Sequence, residues 1–189
     1  MDPFGYVAGI TSVVLALGIA HILRGAGRLM QARGRVRLYW VHLLWALNLF
    51  LFLLLNAWIL YRWSNRESWT FFLLLFVLLS PILGYILAVL LFPDPLPEGT
   101  DLQTHYYRNS RWFFGLAALL PLIDAIDTAL KGPEHLAAQG SIYPVTIVLL
   151  FALNVTASVT RNPRFHAFFA VFFLVYILAF IAINLRVLA

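Results

Sequence analysis

The sequence predicts an all-α integral membrane protein, a compact bundle of six transmembrane helices joined by short loops. Composition is the first reason: 62% of residues are hydrophobic and 11% are charged, against about 25% charged in globular domains. Mean hydropathy is +0.88. The apolar residues also collect into six runs, each near the ~20 residues a helix needs to cross the hydrocarbon of a bilayer. Arginine concentrates between the runs.

The first run is Gly5–Leu23. No basic segment precedes it, so it reads as a retained span rather than a signal peptide. Small residues recur along it every four positions, as Gly5 and Gly9 and as Ala8, Ser12, Ala16 and Ala20. That spacing predicts close helix packing, within the chain or in a homo-oligomer. Arg24, Arg28, Arg33, Arg35 and Arg37 follow. Such a cluster sets topology and attracts anionic lipid, at about 1 kcal/mol per residue.

The second run, Leu38–Tyr61, is bounded by aromatic residues that favour headgroup depth: Tyr39 and Trp40 at its start, Trp58, Tyr61 and Trp63 at its end. It carries Asn48 and Asn56 in otherwise apolar surroundings. In the third, Trp69–Phe92, Ser80, Pro81 and Gly84 predict a kink near the middle. Pro93–Ser110 reads as the one long loop, with Tyr106 and Tyr107 at the interface. The fourth run, Trp112–Leu130, is less apolar, and a re-entrant segment is its alternative. Pro121 removes a helix hydrogen bond there and frees a carbonyl near Ala117. The fifth, Ser141–Thr160, holds Asn154, Thr156 and Ser158; the sixth is Phe165–Val187. Residues 1–189 make a single domain. Two inverted three-span halves are not supported, because the prolines of the third and fourth runs do not correspond.

Basic residues set the orientation. With the N-terminus outside, nine arginines fall on the inner side (positions 24, 28, 33, 35, 37, 108, 111, 161 and 164), and four basic residues fall outside (Arg62, Arg66, Lys131 and Arg186). The positive-inside rule then puts both termini on the periplasmic or outer face. The same distribution absorbs the net charge of +5 and leaves no domain for nucleic acid. Arginine usage and short loops point to a bacterial inner membrane. Cysteine is absent, which excludes disulfides, thiolate metal sites and cysteine nucleophiles.

Two features carry candidate chemistry. Asp124 and Asp127 lie three residues apart on one face of the fourth run, where an acidic side chain costs roughly 2.5–3.5 kcal/mol on insertion scales. They suit a cation or proton site, or an ion-pair network with Lys131, four residues on, and Arg186. His21, His42, His105 and His166 form the second feature, all towards the inner side. Histidines on different helices can hold haem or a divalent metal, yet the spacings HxxxH, HExxH and CxxCH are all absent. No cofactor is therefore expected.

Three function classes follow. A small channel or a proton- or cation-coupled carrier would use the aspartates, the proline breaks and the buried polar groups. A non-catalytic sensor or accessory subunit would use the small-residue face. A haem, metal or lipid-modifying enzyme would use the inner histidines.

Overall fold

The structure is a computed structural model and describes residues 2–32, 34–66, 68–93 and 96–184. It is all helical, with no strand among the described residues. Helix α1 spans Pro3–Gln31, α2 Trp40–Ile59, α3 Phe71–Leu91, α4 Leu102–Ala117 and α5 Leu119–Leu130. A short α6, Pro133–Ala138, precedes α7, Tyr143–Val159, and α8, Pro163–Asn184. With α2 continued by the 3-10 turn at Leu60–Trp63 and α4 by α5, five helices are long and apolar enough to cross a membrane. The sixth, α7, is apolar with 17 residues, the lower limit for a span. Large apolar side chains cover the outside, Phe72 at 82% exposure and Val159 at 76% among them. Only lipid makes such a surface favourable, and the chain is a multi-pass membrane protein.

Helix ends follow local chemistry. Asp2 caps α1, its carboxylate accepting from the amides of Phe4 and Gly5, and Pro3 occupies a first-turn position that needs no donor. Thr70 caps α3 through the amide of Leu73. Gly132, at φ 106°, reverses the chain after α5 in a backbone region that side chains disfavour.

Two expectations change. Residues 102–110 are not loop: Asp101 caps α4 by accepting from the Gln103 amide, and the helix buries Leu102, His105, Tyr106 and Ser110. The polar residues between them form the exposed face of an amphipathic helix. The first helix also continues to Gln31, so Arg24 and Arg28 sit on helix rather than in a loop. Arg24 lies about 31 Å from Pro3, at the edge of the hydrocarbon. Helix α3 contains Pro81 within its length. The break near Pro121 is present: α4 ends at Ala117 and α5 starts at Leu119, where the missing proline donor leaves the ladder open.

The packing hub is α2, which touches α1, α3, α4 and α8. Its Trp45 lies edge-on to Phe114 and Phe169, at 5.0 Å each, and 5.6 Å from Phe173. The small residues that permit close approach are Gly18, Gly25 and Gly84. A Cβ on Gly84 would lie 2.5 Å from Leu53 Cδ2, and one on Gly25 would lie 2.3 Å from Phe92 Cγ. The predicted row points elsewhere. Gly5, Gly9, Ser12, Ala16 and Ala20 are exposed, while α1 buries Val7, Thr11, Leu15, Gly18 and Ile22.

The bundle has two polar ends. At the arginine end, the α1–α2 and α3–α4 connections clasp each other through backbone bonds from Arg37 to Thr100 and from Leu102 to Arg37. Arg35 adds a bond to Glu98 at 2.7 Å, exposed enough to contribute little. Asp124, Asp127 and Lys131 lie towards the opposite, aspartate end.

Candidate functional site

The site is built from α5 outward. Asp124 stands six residues before Leu130, about 9 Å below the end of the helix. Asp127, nearer that end, is neutralised along its own helix by an ion pair with Lys131. Only 8% of the Lys131 side chain and 20% of the Asp127 side chain are exposed, so this pair is shielded from water. Trp63, in the turn after α2, donates its indole N–H to the other Asp127 oxygen at 3.0 Å. The same ring accepts Lys131 Nζ on its face at 5.2 Å and the Arg66 guanidinium at 5.5 Å, a cation–π arrangement. Asp127 is thus the anion of a closed structural cluster.

Asp124 differs. It forms no ion pair among the described residues, and Arg186 lies outside them. Its partner is Tyr143 at the start of α7, whose hydroxyl donates to Asp124 Oδ2 at 2.8 Å. The same hydroxyl lies 2.9 Å from Thr128 Oγ1. With one proton to give, Tyr143 serves the carboxylate, and the threonine hydroxyl can donate to the tyrosine oxygen. Asp124 is exposed, and it lines a cavity.

That cavity has a volume of about 210 Å³, room for on the order of ten waters. Arg62, His135 and Gln139 rim it at the aspartate end, and Trp45 and Leu87 lie deepest. From Ile59 to Trp45 it follows α2 for about 21 Å. Asn56, Ser80 and Asn154 supply polar wall in the middle of the bundle. At the rim, burial and then the charges of Lys131 and Arg62 hold the His135 imidazole below its usual range. It is neutral at neutral pH, because both effects disfavour the cation.

The buried polar groups divide between packing and wall. Asn48 donates to Ala170 O at 2.9 Å and ties α2 to α8. Ser80 donates to Asn56 Oδ1 at 2.8 Å and ties α3 to α2. Asn154, Thr156 and Ser158 bond only to carbonyls of their own helix.

At the arginine end the histidines separate. His42, His105 and His166 gather around Tyr106: the rings of His42 and His105 are 6.2 Å apart, and Tyr106 lies 5.4 Å from His166. His21 lies apart, against Tyr85 at 6.3 Å. Among the described residues no three His, Asp or Glu side chains converge to hold a metal. Aromatic rings, rather than further ligands, fill the space between them.

Sequence spacing identified Asp124, Asp127 and Lys131. It missed Tyr143, Thr128 and Trp63. Thr128 had a signal, since it stands four residues after Asp124 on the same helix face. Tyr143 and Trp63 begin or end their own helices and reach the site only through tertiary packing. No known protein family, curated protein or solved structure matches this chain.

Proposed function

We propose that the protein is a small channel or a proton- or cation-coupled carrier, with Asp124 as its ion-accepting group. The observation that carries this reading is a carboxylate without an ion-pair partner among the described residues, lining a cavity that enters about two-thirds of the bundle. The nearby ion pair then serves a different purpose. By neutralising Asp127 internally, Lys131 leaves Asp124 as the charge available to a cation, while Tyr143 fixes its orientation. The polar atoms of Asn56 and Ser80 would support a partly hydrated ion further in.

In this reading six helices span a bacterial inner membrane, α7 included, and both termini face outward, so the cavity opens to the periplasm. The exposed Arg24, Arg35 and Arg37, with Arg28, contact anionic lipid on the other face. The open small-residue face of α1 supports self-association.

The test is flux through purified protein in liposomes, followed with an internal pH dye and with sodium- and potassium-sensitive dyes. Asp124→Asn keeps the size and the bond from Tyr143, so it should fold and lower ion flux at least tenfold. Wild-type flux in that variant, or no flux in the wild type, overturns the proposal.

A further inference from the structure

Helix α2 carries a line of polar atoms that nothing satisfies. His42 and Asn48 are fully buried and Trp45 is 4% exposed; spaced by three residues, they share one face. The indole N–H of Trp45 acts on the Tyr106 hydroxyl, while both ring nitrogens of His42 and the side-chain oxygen of Asn48 have no hydrogen-bond partner among the described residues. Lipid supplies none, and a buried polar atom left unpaired destabilises the fold. Yet three such atoms lie on one face of the most central helix of the bundle.

The line begins where the cavity ends. Trp45 forms the deep wall of the cavity, and His42 lies nearly one turn further towards the arginine end. His105 and Tyr106 of α4 face the His42 ring, at 6.2 and 6.4 Å, and Phe92 covers it at 5.4 Å. Arg108, on the next turn of α4, is a fixed charge that acts on His105. Beyond them Tyr106 is bonded to His166 Nδ1 at 2.8 Å, and His166 Nε2 to the carbonyl of Thr160 at 3.0 Å. A carbonyl only accepts, so Nε2 carries the proton and Nδ1 accepts from the tyrosine. Thr160 is the C-terminal cap of α7, at the arginine end of the bundle.

We propose that His42 is the proton-binding group at the closed end of the cavity, and that His42, Tyr106 and His166 form the arginine-end half of a proton path. This rests on the carrier reading and names the coupling ion as a proton. A proton from cavity water binds one nitrogen of His42, and the proton on the other nitrogen leaves through a bridging water to the oxygen of Tyr106. Tyr106 passes its own proton to His166 Nδ1, and His166 releases its Nε2 proton beside Thr160. One proton enters for each that leaves, no electrons move, and the path is reset when the two imidazoles return to their starting tautomers by proton exchange with water and the Tyr106 hydroxyl turns back.

The test compares wild type, His42→Phe, Tyr106→Phe and Asp124→Asn in liposomes holding pyranine, with a potassium–valinomycin potential driving uptake. Phenylalanine fills the His42 site without unpaired nitrogens, so the thermal midpoint of His42→Phe in micelles should equal or exceed that of wild type. Proton flux should fall at least tenfold in all three variants. A His42→Phe protein that is folded and carries protons at the wild-type rate overturns the inference. Sodium or potassium flux that depends on Asp124 and ignores His42 also overturns it, while leaving the carrier reading intact. Absence of all flux in wild type overturns both.

Discussion

Replacing Lys131 by methionine would strand the charge of Asp127 in a setting that water barely reaches. Breaking a buried ion pair by removing one member costs about 3–5 kcal/mol. Here the carboxylate keeps 20% of its surface and one bond from Trp63, so the low end, about 3 kcal/mol, applies. Loss of the ammonium from the Trp63 face, at 5.2 Å, adds about 0.5–1 kcal/mol. Lys131→Met should therefore destabilise by about 3–4 kcal/mol. Asp127→Asn combined with Lys131→Met leaves no stranded charge, and the asparagine oxygen can still accept from Trp63. The double variant should cost about 1 kcal/mol, giving a coupling energy of at least about 2 kcal/mol in a double-mutant cycle. Reversible unfolding in mixed micelles, followed by tryptophan fluorescence, measures all four species. A cost below about 1 kcal/mol for Lys131→Met, the range of exposed pairs, would refute the claim that this pair is shielded and structural. So would a double variant as unstable as the single one.

Two further predictions concern packing and pH. Gly84→Ala places a Cβ 2.5 Å from Leu53 Cδ2, and Gly25→Ala places one 2.3 Å from Phe92 Cγ, so each should lose about 1–3 kcal/mol by overpacking. Gly9→Ala meets nothing within 4 Å and should gain about 0.5–1 kcal/mol from helix propensity; micelle unfolding reads all three. His135 is held below its ordinary value of 6.5 in the folded state, first by burial and then by Lys131 and Arg62. Above pH 6.5 both states are neutral there; as pH falls below it the unfolded state binds the proton first, and stability is lost. His135→Gln should flatten that part of the stability–pH curve, and an unchanged slope would count against it.

The sequence by itself determined the class, the existence of the long apolar helices and the ion pair internal to α5. Run length and hydropathy identified membrane-spanning segments, and the four-residue spacing of Asp127 and Lys131 sufficed for their ion pair. Proline chemistry located the break before Leu119. It was misleading where polarity stood in for irregularity: residues 102–110 are polar because one face of a helix is exposed. Which face each helix turns inward belongs to the tertiary structure alone. In a soluble helix the apolar stripe marks the core, but lipid is as apolar as a packed interior, so this pattern loses its meaning in the membrane. Hence the small-residue row of α1, read as packing either within the chain or in a homo-oligomer, is exposed, while Gly18, Gly25 and Gly84 carry the close contacts within the chain. For the same reason the pairing of Asp124 with Tyr143, the seat of Trp63 on Asp127, and the gathering of His42 with Tyr106 and His166 arise only when helices distant in sequence meet.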